Sequence, residues 1–174
     1  MTDWRGQTTD STFGVQLRES VLRDLDRLCR EANGSETGGI LVGYYSDSLS
    51  VAIVEEATPP PSDSSRGRSW FERGVNGLRG MLNRRWQSTK RTHYVGEWHF
   101  HPANHIEPSG DDFDRMREIS NARAYDCKEP LLLIVGARHR EALRSFRVFV
   151  CPAGRTPLEH LPLVDENTIE GKKC

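Results

Sequence analysis

The sequence predicts one mixed α/β domain, an α+β sandwich in which helices flank a sheet, and three observations predict it. The chain has 174 residues, a length that suits one hydrophobic core. Its apolar residues fall into periodic runs in the order α-β-β-α-β-α-β-β, which is not the alternating βαβ of a doubly wound sheet. No segment has the glycine loop that cradles phosphate.

Each element has its own signal. Residues 20–32, "SVLRDLDRLCREA", place Val21, Leu22, Leu25, Leu28 and Cys29 on one helical face, and Asn33-Gly34 supplies a stop. Residues 38–45 and 49–57 read as strands joined by a turn at Ser46-Asp47, and 58–69 as a polar, proline-rich loop. A second helix fits 70–87, where Phe71, Val75, Leu78, Leu82 and Trp86 recur at helical spacing, although Gly74, Gly77 and Gly80 weaken it. Residues 93–101 read as a strand. A third helix fits 109–125 with Phe113, Met116 and Ile119 inward, and 130–137 with 143–150 form a pair of core strands. Residues 1–14 read as a flexible arm, 15–155 as the domain and 156–174 as a C-terminal tail.

Bulk properties narrow the function. A net charge of −1 provides no global field for nucleic acid or a membrane. The basic stretch "NRRWQSTKRTH" (83–93) reads as a solvated helix end. The apolar fraction is 36% and the mean hydropathy −0.65, and no apolar run approaches a membrane span. The start lacks the pattern of a signal peptide, so a cytoplasmic location is expected. Cys29, Cys127, Cys151 and Cys174 form no C-x-x-C pair; they read as reduced thiols and disfavour a cysteine zinc site.

The chemistry concentrates in "GEWHFHPANHIEPSGDD" (96–112). On a strand, residues i and i+2 share a face, so His99 and His101 project side by side. Pro102 ends the strand, and Ser109 opens the next helix with Asp112 on its first turn. Two histidines and a carboxylate leave an open position on a tetrahedral metal, as catalytic sites require. Ser-x-x-Asp is also close to a capping box, and capping alone accounts for Ser109 and Asp112. Glu97 shares the parity of the histidines and competes with Glu36 as a base; Glu107 and Asp111 lie nearer in sequence but carry no such signal. Trp98 and Phe100 face the other way, into the core. His93 and His105 are expected to face solvent, and His139 and His160 have no motif context.

The stretch resembles the JAB/MPN-plus (JAMM) metalloprotease family, of the Mov34/MPN/PAD-1 type. The family pattern is an upstream glutamate, His-x-His-Pro, six residues, then Ser-x-x-Asp. Here His99-Phe100-His101-Pro102, residues 103–108 and Ser109-Gly110-Asp111-Asp112 match without a gap, and "ETGGILVG" supplies Glu36. The resemblance covers roughly residues 15–150 and implies the MPN/JAB, cytidine-deaminase-like fold, a central mixed sheet flanked by helices. It makes His99, His101 and Asp112 the ligands of one zinc ion per chain with water in the fourth position. By the same resemblance Glu36 is the general base and Ser109 supports the oxyanion of amide or isopeptide hydrolysis.

"GEWHFHP" further resembles bacterial members encoded beside homologues of ubiquitin-activating and -conjugating enzymes, often in antiviral islands. That implies a peptidase cleaving after the C-terminal glycine of a ubiquitin-like protein, in deconjugation or precursor processing. An extended tail would add to the edge of a strand beside the site. The modifier's body would dock on 70–86; the loop 58–69 and the helix from Trp70 onward occupy the place of a family insertion that often grips the modifier's tail. Three rivals are a general peptidase of the same family, a non-catalytic MPN scaffold, and a two-histidine, one-carboxylate iron oxygenase, which leaves the Pro and Ser-x-x-Asp spacing unexplained. A zinc nucleoside deaminase is excluded by the missing Pro-Cys-x-x-Cys.

Overall fold

A computed structural model describes residues 2–46, 48, 50–103, 106–137 and 144–163. Among these residues the chain forms β1 (Trp4–Thr8), β2 (Gly14–Leu17), α1 (Glu19–Glu31), β3 (Thr37–Tyr45), β4 (Val51–Ala57), β5 (Ser65–Arg66), β6 (Phe71–Glu72), α2 (Leu78–Gln87), β7 (His93–Phe100), α3 (Gly110–Asn121), β8 (Leu131–Val135), β9 (Phe146–Val150) and β10 (Leu158–Pro162). Eight strands make one mixed sheet in the order β1-β10-β9-β8-β7-β3-β4-β2, closed by pairing of β1 with β2. The β2–β4 and β7–β8 pairs are parallel and the others antiparallel.

Side-chain alternation divides the core into two layers. Val21, Leu22, Leu25, Leu28 and Cys29 of α1 pack with Val15, Leu41, Val54, Val95, Trp98, Leu131 and Leu133 on one face of the sheet. The opposite face carries Ile40, Val42, Tyr94, Leu132, Ile134 and Phe149, covered by Met116 and Ile119 of α3 and by Leu78, Met81 and Leu82 of α2. β8 contributes to both layers, which is why its sequence is a continuous apolar run rather than an alternating one. The expected sheet with flanking helices is therefore present, but it closes on itself. β3 lies between β7 and β4, and β7 between β8 and β3, so neither has a free edge, whereas β6, which is outside the closed sheet, pairs only with β5 among the described residues.

Other expectations change at the ends of the chain and around the second helix. Within the expected arm Trp4–Thr8 form β1, whose Gly6 lies opposite both Pro162 of β10 and Val15 of β2. Part of the expected tail is β10, and 164–174, with Cys174, lie outside the described residues. The second helix begins at Leu78, not at residue 70. Gly77 has φ 78°, a left-handed turn that interrupts a helix, and Phe71–Glu72 pairs instead with Ser65–Arg66 inside the expected loop. The Asp63 carboxylate fixes the turn by accepting the N–H groups of Val75 (3.0 Å) and Asn76 (2.9 Å). The first helix stops as expected, with Asn33 and Gly34 both at positive φ, and the third ends at Asn121. Of the expected turn, Ser46 donates its N–H to the Val51 carbonyl (2.8 Å), and Asp47 lies outside the described residues.

Cys29, Cys127 and Cys151 are buried free thiols, and burial pushes those of Cys29 and Cys151 up to about 12. Arg85 and Lys90 of the basic stretch pair with Glu56 (2.7 Å) and Glu55 (2.8 Å) on β4. Among the described residues no helix is long and apolar enough to cross a membrane.

Candidate metal centre

β7 carries His99 and is followed directly by His101, both on the face covered by α3. Its pairing with β8 requires close approach: a Cβ on Gly96 would lie 2.2 Å from the Leu131 carbonyl oxygen. One extra residue, Val95, sits in a bulge between the Leu41–Gly96 and Val42–Tyr94 pairs. Beyond the bulge, Trp98 and Phe100 enter the core under α1, as expected, and Trp98 Nε1 donates to the Thr58 carbonyl (2.9 Å). Glu97, His99 and His101 take the opposite face and line a cleft of about 420 Å³. The His99 and His101 ring centroids are 5.4 Å apart.

α3 delivers the carboxylate. Ser109 is its N-cap, and both halves of a capping box form. Asp112 N–H donates to Ser109 Oγ (3.1 Å), while the Ser109 N–H and hydroxyl donate to Asp112 Oδ2 (both 2.7 Å). Capping therefore orients the carboxylate instead of competing with a ligand role, and its other oxygen, Oδ1, lies 2.8 Å from His99 Nδ1. His101 Nε2 is 3.9 Å from Oδ2. Burial raises the Asp112 pKa, but the hydrogen bond and charge of His99 and the bonds from Ser109 outweigh it and hold the carboxyl at about 2.

His99, His101 and Asp112 each offer a ligand atom, all within 4.8 Å of one another. Among the described residues His99 Nε2 is buried with no hydrogen-bond partner, an arrangement that costs free energy unless something else engages that nitrogen. Two imidazoles, a carboxylate held ionised and an orphaned ring nitrogen fit a divalent metal of the zinc type.

Glu36 lies just before β3. Gly38 is directly opposite His99, and Glu36, two residues earlier, lies on the His99 side of the sheet and lines the same cleft. Gly38 makes room there, since a Cβ would meet the Trp98 carbonyl oxygen at 2.5 Å and the Phe71 ring at 2.8 Å. Burial raises the Glu36 pKa; His99 and His101 pull it down, and Asp112 adds to the rise. Its sequence competitor Glu97 shares the cleft, but both its oxygens are taken by the Arg73 guanidinium (2.7 and 2.8 Å). Glu107 pairs with Arg147, and Asp111 stands at the cleft rim. His93 is half-buried against Tyr45 rather than facing solvent, and His105 and His139 lie outside the described residues.

The sequence reading set residues 70–86 against the substrate as a helix, whereas their first part is a non-helical wall of the cleft itself. Ser69, Trp70, Phe71, Glu72 and Arg73 line it, with the Phe71 ring 5.1 Å from that of His99. Gly74 and Gly77 were the available signal that this stretch is not helical; nothing in the sequence joins Arg73 to Glu97.

Residues 18–149 match the family of prokaryotic homologues of the JAB domain. A protein of Enterobacter hormaechei subsp. hoffmannii (strain UCI 50) named CD-NTase/cGAS isopeptidase is 42% identical over 146 residues, 84% of this chain and 79% of that one. A Pseudomonas aeruginosa (strain BWHPSA011 / Pa011) protein of the same name is 35% identical over 102 residues, 58% of this chain and 63% of that one. The solution structure of a Desulfitobacterium hafniense protein superposes with a TM-score of 0.56 at 21% identity, over 82% of this chain and 87% of that one, a likeness of fold.

Proposed function

The chain belongs to the prokaryotic JAB family of metalloproteases, and on that premise we propose that it is a zinc isopeptidase acting on conjugates in which a C-terminal glycine is joined to a lysine amine. The reading is carried by one observation: Glu36, His99, His101, Ser109 and Asp112 converge from two strands and a helix N-terminus on one cleft.

His99, His101 and Asp112 would hold a zinc ion, which would supply a Lewis acid and lower the pKa of a bound water towards ~7. Glu36 takes the proton of the attacking water and returns it to the leaving amine as the carbon–nitrogen bond breaks. Its partly buried carboxylate, with a raised pKa, suits both halves of that exchange. Ser109 donates to the oxyanion once its hydroxyl turns from Asp112; its oxygen can still accept the Asp112 N–H and keep the helix capped. A residue passing so close to the centre is best small, which favours glycine.

The conjugated protein is a CD-NTase on the strength of the names of the two relatives, and a ubiquitin-like protein on the strength of "GEWHFHP". The same motif supports a bacterial antiviral setting with activating- and conjugating-enzyme homologues as partners. Two lysine-linked conjugates, one of a CD-NTase and one of a ubiquitin-like protein, separate these readings by mass spectrometry of the released termini. Release of a free terminal glycine from either, abolished by chelation, is the expected result. Cleavage of neither, or full turnover after exhaustive chelation, overturns the proposal, and iron as the bound metal points to an oxygenase instead.

A further inference from the structure

We propose that Arg73 and Glu97 form an electrostatic latch that holds residues 65–77 in place as one wall of the cleft, making Glu97 a positioning residue for substrate binding. The proposal rests on the isopeptidase reading of this cleft.

The pair is bidentate and nearly dry. Arg73 Nε and Nη2 donate to the two Glu97 oxygens at 2.7 and 2.8 Å, Nη2 also to Tyr125 Oη (3.0 Å) and Nη1 to the Gly74 carbonyl (2.8 Å). Tyr94 Oη donates to Glu97 Oε1 (3.1 Å). The side chains are 5% and 12% exposed. A buried ion pair seldom adds net stability over apolar packing, so its placement is better read as fixing one arrangement among several. Here it ties an added segment to the strand that carries the two histidines.

Among the described residues that segment has few other anchors. Glu36 donates its N–H to the Gly67 carbonyl (2.9 Å), and the Phe71 ring lies against His99. The remaining side-chain bonds run within the segment and its own approach: Asp63 to Val75 and Asn76, and Gly74 N–H to Ser64 Oγ (2.9 Å). The α2 helix that follows has no fully buried residue. A segment with so little buried surface opens readily unless something fastens it. Arg73, two residues beyond Phe71, is that fastening, and it sets where the Phe71 ring stands over His99.

If the latch acts this way, loosening it lowers the fraction of molecules with the wall in place. Apparent substrate affinity then falls by that fraction, while bound substrate still meets intact machinery. Glu97→Gln removes the charge in nearly the same shape, and Arg73→Lys keeps the charge but loses the fork. In the full-length, metal-loaded protein both should raise KM at least ~10-fold and leave kcat within about twofold. Backbone amides of 65–77 should exchange hydrogen faster, with exchange in β7, β8 and α3 unchanged. A purely structural role predicts the converse, a lower kcat from fewer active molecules at unchanged KM. That result, or wild-type exchange in 65–77 for both variants, overturns the latch. Wild-type protein that cleaves neither conjugate would sink the isopeptidase reading, while the exchange comparison would still decide the latch. Should one variant fail to fold, the other decides alone.

Discussion

His160 gives the most quantitative test of the fold. It lies in β10, in register with Thr8 and Val148, is only 2% exposed, and among the described residues neither ring nitrogen has a hydrogen-bond partner. Burial lowers its pKa from 6.5 to about 4. Between those values the unfolded chain binds a proton that the folded chain refuses, so stability is present in full above the unfolded pKa and is lost as the pH falls. At about 1.4 kcal/mol per pH unit, and allowing for partial titration at each end, going from pH 7 to pH 5 should cost about 2 kcal/mol through this residue alone. His160→Leu removes the titration. Urea denaturation of both proteins at pH 7 and pH 5 isolates the effect, because every other titrating group is common to the two. Wild type should lose about 2 kcal/mol more than the variant across that interval. Parallel losses would show that His160 is protonated without penalty and that its burial has been misread.

Two further substitutions address the site. Glu36→Gln should keep its metal, by elemental analysis, and lose turnover by ~10²–10⁴-fold, whereas His99→Ala should lose both; an active Glu36→Gln with a dead Glu97→Gln would reassign the base. Ser109→Ala removes the cap of α3 and should cost about 1 kcal/mol in denaturation. Its turnover should fall well beyond what that destabilisation explains, and wild-type turnover would reduce Ser109 to a cap.

Local chemistry was legible in the sequence and long-range pairing was not. All five apolar positions assigned to the α1 face are buried, because helical periodicity is a property of neighbours. His99 and His101 stand side by side for the same reason, and Ser109 caps the helix that carries Asp112. Glu36 is different. Only the register that sets Gly38 opposite His99 brings it to the cleft of His99, His101 and Asp112, and a cross-strand register cannot be read from one strand. β1 escaped notice because "WRGQT" has no apolar stripe; it is a strand through its partners β2 and β10. The segment before α2 misled because its apolar spacing mimics a helix that Gly77 interrupts.

Closure of the sheet by β1 has a practical bearing on where the chain can be cut. The family match begins at residue 18 and ends at 149, yet the seam of the barrel is sewn by Trp4–Thr8 and Leu158–Pro162. Trimming to the matched boundaries would strip β1, β2 and β10 together. It would leave β4 and β9 with bare backbone donors and acceptors along opposite margins of the sheet. Unsheathed margins recruit strands from other molecules, so such a fragment should oligomerise or precipitate although every proposed catalytic residue is present.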